Sequence, residues 1–181
     1  MSEYELLLHS QEGDQNAQTQ LYDTYYVPLY RYLFVRVRHT ESVEDMVQDV
    51  FMGLFRNLEN VQVDYAGTLR SYLFKSAKNR LIDYFRSAGK QQDVDDETIK
   101  VILDQKGGVS HMQQYEIRDV IYHVLHLLPE TQRDVLVLRY LNDHSTEDVA
   151  RMLGQTRDNV RQVQSRALKK LKYYFYKLKI L

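Results

Sequence analysis

The 181-residue chain contains no cysteine, and it has only two prolines and seven glycines. Without cysteine it can form neither a disulfide nor a zinc site with thiolate ligands. No apolar stretch approaches the ~20 residues needed to span a bilayer, and no apolar run follows a basic N-terminus. We therefore expect a cytoplasmic protein without membrane insertion. The scarcity of proline and glycine, with no long alternating apolar runs, predicts an all-α fold.

The formal net charge of −1 hides an uneven distribution of charge along the chain. The stretch from Gln155 to Leu181 carries eight Lys or Arg side chains against the single carboxylate of Asp158. The stretch from Ser87 to Glu116 is acidic, with six carboxylates against three lysines. Because nucleic acids respond to local charge, a nearly neutral total does not exclude DNA binding.

The patterning divides the chain into three zones. Residues 1–88 read as one small helical domain, and residues 113–181 as a second. Residues 89–112 are acidic and polar and contain Gly107-Gly108, so we expect a flexible linker there. The apolar patch Ile99–Leu103 within it is a candidate helical turn that docks on a partner.

The segment Ser145–Leu171 has the pattern of a helix-turn-helix. Ser145 and Asp148 predict a capped helix start, and Gly154 predicts a left-handed residue that ends the helix. Thr156 is the expected cap of the following helix. The buried face of that second helix is predicted to comprise Val160, Val163, Ala167, Leu168 and Leu171.

The opposite face of the second helix is polar and rich in side chains that recognise bases. Arg and Gln present forked groups that match base edges bidentately. Most polar helix faces are only solvated, but the capped tight turn and the surrounding positive charge favour DNA recognition here. The candidate DNA-binding residues are Arg157, Asp158, Arg161, Gln162, Ser165 and Arg166.

Four further helices are predicted. Val43–Leu58 is strongly amphipathic, and its acidic outer face indicates by itself no more than a solvated surface. Thr68–Arg86 has a basic outer face, and the C-terminal domain is basic as well. Two basic helical domains joined by a linker suggest recognition of DNA at two sites. Ile117 to Leu128 predicts a helix that stops before Pro129, and Glu130 to about Tyr140 predicts the next.

Four motifs, in order along nearly the whole chain, resemble those of the extracytoplasmic-function (ECF) sigma factors. Tyr22-Asp-Thr-Tyr-Tyr-Val-Pro-Leu-Tyr-Arg is similar to the first conserved helix of that family, and Ser42-Val-Glu-Asp-Met-Val-Gln-Asp-Val-Phe to its polymerase-binding helix. Gly67-Thr-Leu-Arg-Ser-Tyr-Leu and Ala77-Lys-Asn-Arg-Leu-Ile-Asp-Tyr-Phe-Arg resemble the promoter-melting and −10-reading segment. Leu128-Pro-Glu-Thr-Gln-Arg-Asp-Val-Leu-Val-Leu-Arg-Tyr resembles the start of the C-terminal domain.

The resemblance implies a promoter-specificity factor that binds core RNA polymerase and promoter DNA, with no enzymatic activity and no cofactor or metal. An anti-sigma factor is a further candidate partner. The implied polymerase-binding residues are Glu44, Asp45, Gln48 and Asp49. The implied −10-binding residues are Tyr65, Lys75, Lys78, Asn79, Asp83 and Arg86, with Tyr65 as the candidate that stacks on a flipped-out base. The helix-turn-helix face would read the −35 element.

The chain departs from the family pattern at two places. Leu69-Arg-Ser-Tyr-Leu stands where the family often has Phe-Arg-x-Trp-Leu. The recognition helix that starts at Thr156 resembles that of housekeeping sigma factors more than the usual ECF version. No segment between the two domains could form the additional domain that housekeeping factors carry.

Two other functional classes remain open from the residues alone. A stand-alone helix-turn-helix regulator would bind duplex DNA as a dimer without polymerase, but it does not account for the two N-terminal motifs. An enzyme or metalloprotein could use His123 and His126, which are spaced i, i+3. No nucleophile arrangement or phosphate-binding glycine loop accompanies them, so we expect surface or partly packed histidines.

Overall fold

The computed structural model describes residues 2–61, 68–87 and 114–177. In these ranges the chain is helical and has no strand, which confirms the all-α expectation. The expected linker and its apolar patch lie outside the described residues. No helix in the described ranges is long and apolar enough to cross a membrane. The helices are α1 (Glu3–Gln11), α2 (Gln15–Val37), α3 (Thr40–Arg56), α4 (Thr68–Ser87), α5 (Gln114–His126), α6 (Glu130–Leu136), α7 (Thr146–Leu153) and α8 (Arg157–Lys177).

The N-terminal half is built from α1 to α4, with α2 and α3 at its centre. Helix α1 begins at a capping box, in which the Ser2 hydroxyl accepts from the amide of Glu5 and the Glu5 carboxylate accepts from the amide of Ser2. The apolar stripes of the four helices meet in a core in which Leu21, Val47 and Leu73 are fully buried. Burial of these stripes is the main stabilising contribution to this half.

The C-terminal half is built from α5 to α8, and a buried arginine joins the first two of these helices. Arg133 of α6 donates to the backbone carbonyls of Leu125, His126 and Leu128, with N···O distances of 3.1, 2.9 and 2.9 Å. These carbonyls belong to the end of α5 and the residues after it, where a helix leaves its last acceptors unpaired. The positive charge also lies at the negative end of the helix dipole. Arg133 therefore fixes α6 against α5.

The helix after Pro129 differs from its prediction. We expected one helix from Glu130 to about Tyr140, whereas α6 ends at Leu136 and the chain continues as a π-helical turn, Val137–Leu141. The wider turn accommodates one extra residue and redirects the chain into the segment that precedes α7. Its last carbonyl, that of Leu141, accepts from Arg31 of α2 at 3.0 Å.

The two halves pack against each other. Helix α4 contacts α7, and α2 contacts both α5 and the π-helical turn. The rings of Phe74 and His144 meet edge to face with centroids 5.1 Å apart, and those of Phe34 and Tyr122 do so at 5.6 Å. No pattern in the sequence indicates this direct contact between the halves.

Candidate DNA-binding and polymerase-binding surfaces

The predicted helix-turn-helix is present, with each cap in its expected place. The Ser145 hydroxyl accepts from the amide of Asp148 at 3.1 Å, and the Asp148 carboxylate accepts from the amide of Ser145. Gly154 ends α7 with φ 63°, in the left-handed region that glycine adopts without strain. The Thr156 hydroxyl accepts from the amide of Asn159 at 3.2 Å at the start of α8.

The candidate −35 residues share one solvent-facing side of α8. All six are exposed: Arg157, Asp158, Arg161, Gln162, Ser165 and Arg166. Arg161 Nη1 lies 3.5 Å from Asp158 Oδ1, and both side chains are more than half exposed. A long ion pair in solvent contributes little free energy, so the guanidinium remains available for another acceptor.

Helix α8 contacts α5, α6 and α7 through its opposite side. Val160 and Ala167 are fully buried there, as predicted. Leu168 is 37% exposed, so its assignment to the buried face was wrong. The strip of α8 that its neighbours cover is too narrow to include position 168.

Asn159 is a further exposed residue of the same helix and is not among the residues predicted from the sequence. Its amide nitrogen donates to Gln155 Oε1 at 3.1 Å, and it lies one turn before Gln162. Asn is a side chain that can pair bidentately with an adenine edge. An exposed amide near the start of the predicted recognition helix was the signal that could have added it to the candidates.

The candidate −10 residues on α4 divide into two groups. Lys75, Asn79, Asp83 and Arg86 are exposed at spacings of three and four residues, so they form one continuous face. Asp83 and Arg86 pair within this face at 3.5 Å. Lys78 lies at the edge of the face and contacts the C-terminal half instead. Tyr65 lies outside the described residues.

The candidate polymerase-binding residues occupy the outer side of α3. Glu44, Asp45, Gln48 and Asp49 are all exposed, while Val43, Met46, Val47 and Val50 of the same helix are buried. Arg80 Nη1 of α4 lies 3.8 Å from Asp49 Oδ2, so the arginine charge partly offsets the negative charge at one end of this acidic face. The structure therefore presents a compact acidic surface on a rigid helix.

The histidines with spacing i, i+3 belong to α5. His126 is half-buried, and burial together with the positive charge of Arg133 lowers its pKa to about 4. No group of three or more metal-ligating side chains is found in the described ranges. The fold gives His126 a packing role at the junction of α5 and α6.

A second buried histidine, His144, lies between the halves. Burial, and next the positive charge of Arg70, lowers the pKa of His144 to about 4, although Asp148 and Asp143 oppose the shift. Its backbone amide donates to the carbonyl of Leu138 at 3.0 Å. The neutral ring is therefore the form that the folded chain accommodates.

We expect stability to fall when the pH is lowered from 6.5 towards 4. In this window the unfolded chain binds a proton at His144 that the folded chain does not, so unfolding is favoured. The loss for one such histidine is about 3 kcal/mol at pH 4. Urea unfolding of the chain and of His144→Gln at several pH values measures it. An equally steep pH dependence in the variant would contradict this account.

Comparison with known proteins identifies the two halves. Residues 21–91 match the family model for sigma-70 region 2, and residues 124–173 match that for sigma-70 region 4. The chain belongs to the sigma-70 family. It is an ECF-type sigma factor. The region 2 match contains most of α2 and all of α3 and α4, and the region 4 match contains α6, α7 and most of α8.

Individual relatives agree with this assignment. The ECF RNA polymerase sigma factor SigM of Bacillus subtilis is 27% identical over 153 residues, which cover 84% of this chain and 91% of that protein. The fold matches that of CnrH, solved in complex with the cytosolic domain of CnrY, at 21% identity and a TM-score of 0.69, with 93% of each chain covered. It also matches the sigma factor RpoE of Bartonella quintana, solved with the anti-sigma factor NepR, at 20% identity and a TM-score of 0.60. That match covers 87% of this chain and 97% of RpoE.

This sigma factor is a promoter-specificity subunit: it binds core RNA polymerase and directs transcription initiation at promoter DNA.

Proposed function

We propose that three exposed helix faces of this factor have three separate binding functions. The acidic face of α3 binds core polymerase, the polar face of α4 recognises the −10 element, and the outer face of α8 reads the −35 element as duplex. The observation that carries the proposal is that each face is solvent-exposed while the opposite side of the same helix is buried. Each face is thus held rigidly by the core beneath it.

Readout of the −35 element follows from the chemistry of the α8 face. A helix fits the major groove, where Arg recognises guanine and Gln recognises adenine through paired hydrogen bonds. Arg161 and Gln162 are adjacent and near the N-terminal end of α8, which is the part of a recognition helix that contacts bases. Arg157 and Arg166 flank them and would contact phosphates. Binding of DNA by this half would weaken steeply as salt is raised.

Recognition of the −10 element needs bases that have left the duplex stack. Unstacking costs a few kcal/mol per base, which contacts to the exposed strand must offset. Lys75 and Arg86 would neutralise the strand backbone, while Asn79 and Asp83 can hydrogen-bond to base edges. The exposed Ile82, between Asn79 and Arg86, adds an apolar surface on the same face. No covalent chemistry by the factor itself is involved.

An anti-sigma protein is the proposed regulatory partner. RpoE of Bartonella quintana was solved in complex with an anti-sigma factor and has the same fold as this chain. A partner that covered the α3 face would compete with core polymerase for the same exposed carboxylates. The factor would act in the cytoplasm, where promoter DNA and polymerase are found.

The proposed polymerase-binding face predicts a charge-reversal effect. The double variant Glu44→Lys, Asp45→Lys replaces two exposed acids, so the fold should be retained while affinity for core polymerase falls at least about tenfold, as expected when like charges are placed in an interface. Titration of labelled factor with core polymerase measures the affinity.

Glu59→Lys provides the matched control for this experiment. Glu59 is also exposed in the N-terminal half, but it lies in the short 3-10 turn Leu58–Asn60 after α3. Its variant should bind core polymerase as the unmodified chain does. Equal affinity of the double variant and the control would refute the assignment of the α3 face.

A further inference from the structure

Helix α1 belongs to none of the three binding faces, yet it contacts the chain both after α3 and at the start of α4. It precedes the region 2 match, which begins at residue 21, and the family motifs do not include it. One side of α1 carries Glu3, Leu7 and Gln11 at successive spacings of four residues. Leu7 is 1% exposed, so this side of the helix faces the core, with a polar side chain on either side of the leucine.

The C-terminal end of α1 holds the chain that follows α3. Gln11 Nε2 donates to two backbone carbonyls, that of Leu58 at 2.8 Å and that of Val61 at 3.0 Å. A side-chain amide has two N–H groups, so both bonds can form at once. Leu58 begins the 3-10 turn after α3, Val61 follows that turn, and both residues are buried. Gln11 therefore fixes the chain at Val61 relative to α1.

The N-terminal end of α1 holds the start of α4. Glu3 Oε1 accepts from the backbone amide of Arg70, the third residue of α4, at 3.2 Å, and Glu3 Oε2 lies 3.6 Å from Arg70 Nη2. The first turn of α4 contains no acidic residue of its own. Glu3 supplies the negative charge that the free amides and the positive dipole end of a helix start favour.

A buried tyrosine of α2 adds to the contact at Glu3. Tyr25 is almost fully buried. Burial, and then the negative charge of Glu3 and a hydrogen bond to it, raise the pKa of Tyr25, although Arg70 opposes the shift. The Glu3 carboxylate thus has a backbone amide, a guanidinium and a hydroxyl as partners, from two different helices. Several donors on one carboxylate fix its position as well as its charge.

The two contacts of α1 lie close to the −10 face of α4. Glu3 and Gln11 are eight residues apart, which is about 12 Å along a helix. They hold Arg70 and Val61, and residues 62–67 between these lie outside the described residues. Lys75, the first residue of the −10 face, is five residues beyond Arg70, or about 8 Å along the axis of α4. Helix α1 thus determines where the −10 face begins.

Recognition of unstacked bases benefits from a protein surface that is in place before the bases arrive. Unstacking already costs free energy, and a protein segment that becomes ordered only on binding adds a further entropic cost. A surface that can rearrange also accepts several ligands, whereas a fixed one rejects the wrong ones. Contacts that hold the start of α4 in advance should therefore increase discrimination between −10 sequences.

We propose that α1 is a positioning element for −10 recognition, in which Glu3 and Gln11 hold the start of α4 and the chain at Val61 and thereby increase discrimination among −10 sequences. Both are positioning residues and neither contacts DNA in this role. The inference rests on the proposed function of α4. Arg70 is unsuitable for the test, because it also lies 3.6 Å from Asp148 of α7.

Two substitutions remove the contacts of α1 with little change in side-chain volume. Gln11→Met removes the donor to both carbonyls, and Glu3→Met removes the acceptor of the Arg70 amide. Transcription is measured on a promoter recovered from a pool of sequences and on copies with single changes at −10 or at −35. We expect the preference for the recovered −10 sequence to fall about three- to tenfold, which is what one or two hydrogen bonds can contribute.

Three further results are expected if the two residues act by positioning. The preference at −35 and the affinity for core polymerase should be unchanged in both methionine variants. Glu3→Gln keeps an acceptor oxygen for the Arg70 amide and should recover most of the −10 preference. Because a preference is a ratio measured on one protein preparation, a lower folded fraction does not change it. Gln11→Met covers the case in which Glu3→Met fails to fold.

Gln18→Met is the matched control. Gln18 Nε2 donates to the Ser10 carbonyl at 3.2 Å, so this bond is of the same kind but joins α2 to α1 and involves neither Val61 nor Arg70. Its loss should leave the −10 preference unchanged. An unchanged preference in Gln11→Met and in Glu3→Met, or an equal fall in Gln18→Met, would overturn the proposal.

Asn79→Ala separates failure of this inference from failure of the proposed function. Asn79 belongs to the −10 face itself, so its loss should change the −10 preference directly. If Asn79→Ala changes the preference and the α1 variants do not, only the role of α1 is refuted. If Asn79→Ala leaves the preference unchanged, the assignment of the α4 face is refuted, and the role of α1 with it.

Discussion

Replacement of Arg161 by alanine is expected to lower promoter-specific transcription by about ten- to a hundredfold, because one bidentate contact to a base edge is worth about 1–3 kcal/mol of discrimination. The Arg161 side chain is 62% exposed, and its Nη1 lies 3.5 Å from Asp158 Oδ1, which is a long contact in solvent. The helix should therefore retain its fold without it. Affinity for core polymerase should be unchanged, because the α3 face lies in the other half.

Lys172→Ala is the matched control for Arg161→Ala. Lys172 is also an exposed cation of α8, but it lies three turns further along the helix, beyond the six candidate −35 residues. Its loss should reduce transcription only slightly and equally at all promoters. Run-off transcription and a core-binding titration are measured for both variants. If Arg161→Ala lost transcription and core binding in equal measure, α8 would not be the DNA-reading face.

Replacement of Arg133 by methionine is expected to destabilise the C-terminal half by several kcal/mol, because each hydrogen bond to a charged donor contributes about 1.5–3 kcal/mol and three are lost together. The three carbonyls of Leu125, His126 and Leu128 would lose their donor in a site that excludes water. Burial lowers the pKa of Arg133 to about 10, so the side chain is still charged at neutral pH. Methionine fills a similar volume, which isolates the electrostatic and hydrogen-bonding loss.

Urea unfolding followed by circular dichroism measures this loss, with Lys169→Met as the control. Lys169 is an exposed cation of α8, so its replacement should change the free energy of unfolding by less than about 0.5 kcal/mol. Hydrogen exchange of α5 to α8 should accelerate in Arg133→Met more than exchange of α1 to α3. A loss below about 1 kcal/mol would show that the three carbonyls find other donors.

Features that depend on neighbouring residues were predictable from the sequence. The Ser145–Asp148 cap, the left-handed Gly154 and the Thr156 cap all act across three residues or fewer, and the structure confirms each of them. The spacing of apolar residues in α3 likewise predicted which side of the helix is buried and which side is acidic and exposed, and the structure confirms this. The role of the exposed acidic residues could not be inferred from this pattern, because an acidic helix face has the same pattern whether it binds polymerase or is only solvated. The family resemblance was needed to assign it.

Features that depend on distant residues were not predictable in this way. The side chains of Arg36 and Asp134 form an ion pair although the two residues are 98 positions apart, and no periodic pattern links them. Lys78 belongs to the basic face of α4 by spacing alone, yet the packing of α6 beside it determines its partners. The π-helical turn after Leu136 likewise reflects how the chain leaves α6, which a helical period cannot indicate. Leu168 shows the converse case, an apolar residue of correct period that the neighbouring helices leave 37% exposed.

Run-off transcription from a pool of promoter sequences, with purified core polymerase in the presence and absence of this protein, tests the central claim most directly. Discrete start sites that appear only with the protein, preceded by common sequences at −10 and −35, are the expected result. Retention of duplex DNA by the protein without any new start site would contradict a sigma factor and leave a stand-alone helix-turn-helix regulator as the explanation.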